Sequence, residues 1–219
     1  MGDFVSKERS KLDMYQVIWL YGLGCLLGYI LETIFYVLKY GSYVNKQGLI
    51  IGPFKPIYGA GAILITFFYH KLRKRNIPNT FIMGIVVGTS FEYLCSFLLE
   101  VAFKSYFWDY STFNYNINGR IYLPYCIIWG IVAIFWIYGL YPQFLKIYNK
   151  LKKINYFKFI LAGIGMFFLI NTLVTGLVLL RQGHRDKNNF IFKIVDTYYP
   201  EHKIKEKFPK FRPITKLYF

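Results

Sequence analysis

The sequence predicts an all-α, polytopic helical membrane protein of about five transmembrane helices, the second of them broken or re-entrant. Three observations predict it. Hydrophobic residues make up 55% of the chain and charged residues only 17%, with a mean hydropathy of +0.33. Several apolar runs exceed the roughly 18 residues that a membrane crossing needs. The runs are separated by short connections rich in Lys and Arg, as cytoplasmic loops of membrane proteins are.

The first apolar run, about Met14 to Leu38, is too long for a signal-peptide core and lacks a small-residue cleavage site, so it reads as an uncleaved anchor. Gly24, Gly28 and Glu32 recur every four residues and share one stripe. Small residues at that spacing let a neighbouring helix approach closely, and Glu32 then either points into the same interface or snorkels from the helix end. The run Ile57–Tyr69 is too short, at roughly 20 Å of helix, to cross a hydrocarbon core of about 30 Å. To span it must recruit Leu49–Phe54, where Gly52, Pro53 and Pro56 interrupt the hydrogen-bond ladder. Broken helices at membrane depth persist only where protein buries them or a wet cavity surrounds them. Lys55 sits in that break and can neutralise a nearby acid; a plain interfacial loop feeding a short tilted helix fits the same residues.

The third apolar run, Thr80–Phe103, carries Glu92 and Glu100. An acid near the centre of a membrane helix costs roughly 2.5–3.5 kcal/mol to insert and marks a functional site by default. At roughly 100° per residue, Thr89, Glu92, Ser96 and Glu100 fall within an arc of about 80° that must face other helices or water. A polar, aromatic loop with Asp109, Asn118 and Arg120 follows. The fourth run is about Ile121–Tyr141, and a basic loop is expected over Pro142–Asn155. The fifth run, about Tyr156–Leu180, holds Asn171, Thr172 and Thr175, which interhelical hydrogen bonding explains. A transmembrane domain over residues 1–180 is thus followed by a basic tail over 181–219. In the tail Phe190, Ile191, Ile194, Val195 and Tyr198 keep helical spacing, which suggests an amphipathic helix on the membrane surface.

The net charge of +16 belongs to loops that anchor to anionic headgroups, and no nucleic-acid-binding module accompanies it. Cys25, Cys95 and Cys126 fall inside predicted helices without CxxC spacing, and the three histidines are scattered, so no metal or cofactor site is expected. Tyr and Phe abound alongside Ile, Asn and Lys, the composition of an AT-rich coding sequence, so no single ring stands out. With five spans, the N-terminus and the two basic loops hold eleven Lys and Arg against five in the opposite loops, which places the N-terminus in the cytoplasm of a cell-membrane protein. The ten basic residues of the tail pull the other way. One membrane face then gathers Glu32, Lys55, Glu92, Glu100, Asp109, Asn118 and Arg120.

GYILE (28–32), GLIIGPFKPIYGAG (48–61), FEYLCSFLLE (91–100) and WDYSTFNYNINGRIYLPYCIIWG (108–130) resemble, in this order, the CmpB-like family of type IV ABC-transporter permeases. One departure is Asn45-Lys46-Gln47-Gly48, where the family tends to show Asn-Arg-Gly. The resemblance implies a bacterial multi-pass permease component. The chain contains no G-x-x-x-x-G-K-[ST] phosphate loop, so ATP hydrolysis would require a separate ATPase subunit, and a homo-oligomer is a further expected assembly. Two other functions fit the residues alone. A membrane enzyme acting on a lipid or envelope precursor could use the acids, Asn and Arg as base and anion clamp. A non-catalytic assembly or sensor protein could use the same charges to hold its helices together.

Overall fold

The computed structural model describes residues 12–45, 47–184, 189–208 and 212–213. Lys7, Arg9, Lys11, Lys46 and Pro209 lie outside these. Five helices form the bundle: α1 (Met14–Tyr40), α2 (Pro56–Lys71), α3 (Ile77–Phe103), α4 (Leu123–Leu151) and α5 (Phe157–Gly183). Four of them, all but α2, are long and apolar enough to cross a membrane. At 16 residues α2 is about 24 Å long. Two short tail helices follow, α6 (Phe190–Tyr198) and α7 (Glu201–Lys207). Four two-residue strands, β1 (Ser105–Tyr106), β2 (Asn116–Ile117), β3 (Ile121–Tyr122) and β4 (Arg212–Pro213), pair antiparallel as β1–β4 and β2–β3.

Local chemistry sets the helix ends. Asp13 and Gln16 form a reciprocal capping box at the start of α1, and Gly41, at φ +69°, ends it in the left-handed conformation that glycine adopts without strain. Pro56, Pro78 and Pro124 each stand in a first turn, where a missing N–H leaves nothing unpaired.

The expected basic loop over Pro142–Asn155 is mostly helix, since α4 continues to Leu151. A π-helical turn over Phe135–Leu140 makes this possible, with the Tyr141 N–H donating to Trp136 O five residues back. That wider turn stands immediately before Pro142 and absorbs the break in the i→i−4 ladder that its ring and missing N–H impose.

Glycines set two close helix contacts. A Cβ on Gly24 would lie 2.9 Å from the Gly59 Cα, and one on Gly28 would lie 2.2 Å from the Tyr58 ring, so α1 rests directly on α2. Gly84, Gly88 and Gly130 do the same for α3 against α4. At the N-terminal face Leu20, Ile65, Met83, Trp136, Ile137 and Tyr141 form one core. At the other face Ile50, Val178 and Leu179 pack with Val195, Ile204 and Phe208 of the tail. The exposed apolar side chains, such as Val101, Leu173 and Phe159, face outward as they must in lipid.

The segment before α2 runs as irregular backbone that is nonetheless buried, with Leu49 and Ile50 at 1% and 2% exposure. Its polar groups are paired from several directions. The Ile50 N–H donates to Thr175 Oγ1 at 3.0 Å and the Ile51 N–H to Asn171 Oδ1 at 3.2 Å, while Asn171 Nδ2 donates to Ile51 O at 2.7 Å. Lys207 Nζ donates to Ile50 O at 2.7 Å, and the Lys55 N–H donates to Cys25 O at 3.0 Å. Asn171 and Thr175 of the polar patch on α5 therefore pair broken backbone, while Thr172 bonds the Tyr21 side chain of α1. The tail sits on the same face, tied by the Arg181–Asp196 ion pair at 2.7 Å and the β1–β4 pairing. Within it Val195 is buried while Phe190, Ile191, Ile194 and Tyr198 are exposed.

Asn171→Leu strands an N–H and a C=O in an apolar surrounding and should destabilise by about 1–3 kcal/mol for each group. The detergent melting temperature should fall accordingly, with Thr175→Val a milder case. Gly28→Leu drives a branched side chain into the Tyr58 ring and should cost about 1–3 kcal/mol through overpacking, visible as a lower melting temperature and reduced membrane abundance.

Candidate functional site

Loop 104–122 is an ordered cap, built from turns. Lys104 ends α3 at φ +47°. Asp109 Oδ1 accepts from the Ser111 N–H at 2.8 Å, an Asx turn. The Tyr110 N–H donates to Gly119 O at 2.8 Å, and the Gly119 N–H to Asn116 Oδ1 at 2.8 Å. Asn118, at φ +51°, donates through Nδ2 to the Tyr93 hydroxyl at 3.0 Å, and Trp108 Nε1 donates to Arg120 O at 3.1 Å. Asp109 thus serves the loop's own geometry, and Asn118 turns the loop while its side chain ties it to α3. The result is that Tyr110 is aimed at α3.

Two ion pairs flank the centre. Lys55 pairs with Glu32, tying the start of α2 to α1, and Arg120 pairs with Glu100, tying the loop to α3. All four side chains are largely buried, at 17–18% exposure. Arg120 also stacks over Tyr93 and Phe97 at 5.6 Å.

Glu92 lies between these pairs and is held differently. It is 8% exposed. Trp129 Nε1 of α4 donates to Oε2 at 2.7 Å, and the Tyr110 hydroxyl donates to Oε1 at 3.4 Å. Among the described residues no Lys, Arg or His forms an ion pair with it. One turn earlier the Thr89 hydroxyl is buried without a hydrogen-bond partner. Tyr58 of α2 lies within electrostatic reach of both Glu32 and Glu92, which links the Lys55 pair to the central acid. Burial, followed by the charge of Glu92, pushes the Tyr110 hydroxyl well above the ordinary phenol range, so it stays protonated and remains a donor.

The seven residues singled out in the sequence therefore divide. Glu32, Lys55, Glu100 and Arg120 form two ties, Asp109 and Asn118 shape the loop, and Glu92 stands at the centre with neutral donors. Sequence reasoning missed Tyr58, Tyr110 and Trp129 as its neighbours. The available signal for Tyr58 and Trp129 was small residues opposite large rings, since Gly28 faces Tyr58 and Gly88 faces Trp129. No group of three His, Cys, Asp or Glu that could hold a metal ion occurs among the described residues.

A family model described as "Putative ABC-transporter type IV" (ABC_trans_CmpB) matches residues 19–176, a stretch that includes α1 from Trp19, all of α2–α4 and most of α5. The chain belongs to this family. No curated protein and no solved structure matches it. The matched stretch contains all seven residues, so the acids, their partners and the loop lie within the family's own span.

The Arg120–Glu100 tie is open to a double-mutant cycle with Arg120→Met and Glu100→Gln. A coupling of about 1–3 kcal/mol is expected, because each single change leaves a largely buried charge unpaired. Additive losses in melting temperature would mean the two charges act independently.

Proposed function

We propose that the chain is the membrane-embedded, permease-like component of an ABC-type transport system, with Glu92 at the centre of its substrate path. Family membership supports the transport class. What carries the assignment of the path is Glu92 itself, a buried intramembrane acid held by neutral donors, while Glu32 and Glu100 each meet a cation. An acid that merely fastened helices would be expected to resemble Glu32 and Glu100, each matched by a cation from another element. Those two pairs act as struts around the path, which is the role an assembly protein would give them. They do not account for Glu92.

In this reading the transmembrane domain, residues 1–180, forms the path, and α6 and α7 of the basic tail, residues 181–219, lie over the face that carries the break before α2. The N-terminus and the basic segments around Lys71–Arg75 and Lys146–Lys153 face the cytoplasm of the cell membrane. They are the surfaces available to a separate ATPase subunit, which must supply the phosphate loop that this chain lacks.

Glu92→Gln preserves size and hydrogen bonding and removes only the charge. Membrane abundance should hold or rise, because the inserted charge is gone, while complementation of a deletion strain should fail. Retained complementation at normal abundance would make Glu92 structural. Purification in mild detergent should bring down an ATPase, and its reproducible absence would count against the permease assignment.

A further inference from the structure

The tail carries a surface that the permease reading does not use. α6 lies beside the last turns of α5, where Val195 clusters with Val178 and Leu179 and Asp196 pairs with Arg181. The Arg181 guanidinium also lies over the Phe192 ring at 5.2 Å, and Tyr199 packs against the same cluster. The bundle therefore takes the side of α6 that bears Phe192, Val195, Asp196 and Tyr199. Phe190, Ile191, Ile194 and Tyr198 fall within an arc of about 100° on the side turned away from it. They are 43–78% exposed, as open as the lipid-facing Leu173 and Phe159 of α5 at 64% and 75%.

Place and length decide what covers this row. Val178 and Leu179 stand about 6–8 Å before the end of α5 at Gly183, within a helix long and apolar enough to cross the membrane. A row turned outward beside them faces lipid. At nine residues α6 is about 14 Å long and cannot cross a hydrocarbon core of about 30 Å, so it lies along the edge of that core. Lys193, about 100° round the helix from Ile194, is exposed, as is Lys203 of α7. The tail as a whole holds ten Lys and Arg against four Asp and Glu. That balance attracts anionic headgroups and repels a second copy of the same tail.

The same element grips the break before α2. Ile50 packs with Val195 of α6 and with Ile204 and Phe208 beyond it, and Lys207 Nζ donates to Ile50 O at 2.7 Å. We propose that α6 docks through Phe190, Ile191, Ile194 and Tyr198 on an anionic bilayer surface, and that this docking keeps the tail clamped on Ile50. The clamp makes the hold on the broken backbone depend on the lipid around it, whatever passes Glu92.

The test uses the full chain in nanodiscs of phosphatidylcholine, with and without phosphatidylglycerol. A fluorophore is attached at Ile194→Cys, or at Lys193→Cys on the polar side, and the unsubstituted chain gives the background from Cys25, Cys95 and Cys126. Quenching by nitroxide-bearing lipid is compared with quenching by aqueous iodide. With phosphatidylglycerol present, lipid should quench the label at position 194 about threefold more than iodide does, and the order should reverse at position 193. High salt should act as leaving out phosphatidylglycerol does, weakening lipid quenching at position 194. The clamp is read by maleimide reactivity of Ile50→Cys and, from the tail side, Ile204→Cys, which should rise about tenfold without phosphatidylglycerol. Melting curves report which variants are folded, and either buried reporter suffices.

Dominant iodide quenching at position 194, or shielding there in detergent that grows with protein concentration and so marks a second copy, would overturn the docking. Equal lipid quenching with and without phosphatidylglycerol would overturn the anionic partner, and unchanged reactivity at positions 50 and 204 would overturn the clamp. Neither substrate nor ATPase enters these measurements, so their failure and that of the permease assignment are read separately.

Discussion

Backbone hydrogen bonding in the absence of water is the constraint from which the rest of the architecture follows. In hydrocarbon an unpaired N–H or C=O costs several kcal/mol, so a chain that interrupts its helix with Gly52, Pro53 and Pro56 must find partners elsewhere. Here they come from three directions: Asn171 and Thr175 on α5, Cys25 O on α1, and Lys207 from the tail. Each places an element. α5 has to lie beside the break, α1 has to meet the start of α2 closely enough to need Gly24 and Gly59, and the tail has to fold back over the same face. Irregular backbone in turn sets Lys55 at the mouth of α2, where a continuous helix would have carried it to another angle and depth.

That placement organises the electrostatics. Lys55 meets Glu32 because the break ends there, and Arg120 meets Glu100 because the loop's turns return the chain to α3 after 16 intervening residues. Both ties join separate elements, so they fix the walls around α3 as well as cancelling charge. The loop performs a second task through Tyr110, whose backbone is pinned by Gly119 and whose hydroxyl reaches back to Glu92. A loop rich in Asn, Asp, Ser and Gly can fold this tightly because its side chains supply turn hydrogen bonds of their own.

Much of this was legible in the sequence. Apolar run length gave the long helices, the four-residue stripe ending in Glu32 gave the close contact of α1, and the Gly-Pro break gave the irregular entry to α2. What stayed hidden was hidden for physical reasons. Pro142 reads as a stop because sequence patterns assume an α-helical ladder, and a π-helical turn evades that assumption. Asn171 and Thr175 read as interhelical glue because their partner is backbone, which carries no residue identity. Trp129 and Tyr110 were lost among 43 Tyr and Phe residues and four Trp, where composition masks a ring with a specific task. Their hydrogen bonds to one carboxylate set them apart in the structure.

The arrangement of partners sets Glu92 apart from the acids on either side of it. Glu32 and Glu100 each meet a cation from another element, so each pair is neutral as a unit and its field falls off quickly. Removing either member of such a pair leaves a largely buried charge without its counter-ion, which is why these contacts fasten elements to one another. Glu92 is held by the Trp129 indole N–H and the Tyr110 hydroxyl, which are neutral donors from two different elements. Its burial therefore depends on how α4 and the loop are placed, and those placements depend in turn on the Gly88 contact with Trp129 and on the turns that aim Tyr110 at α3.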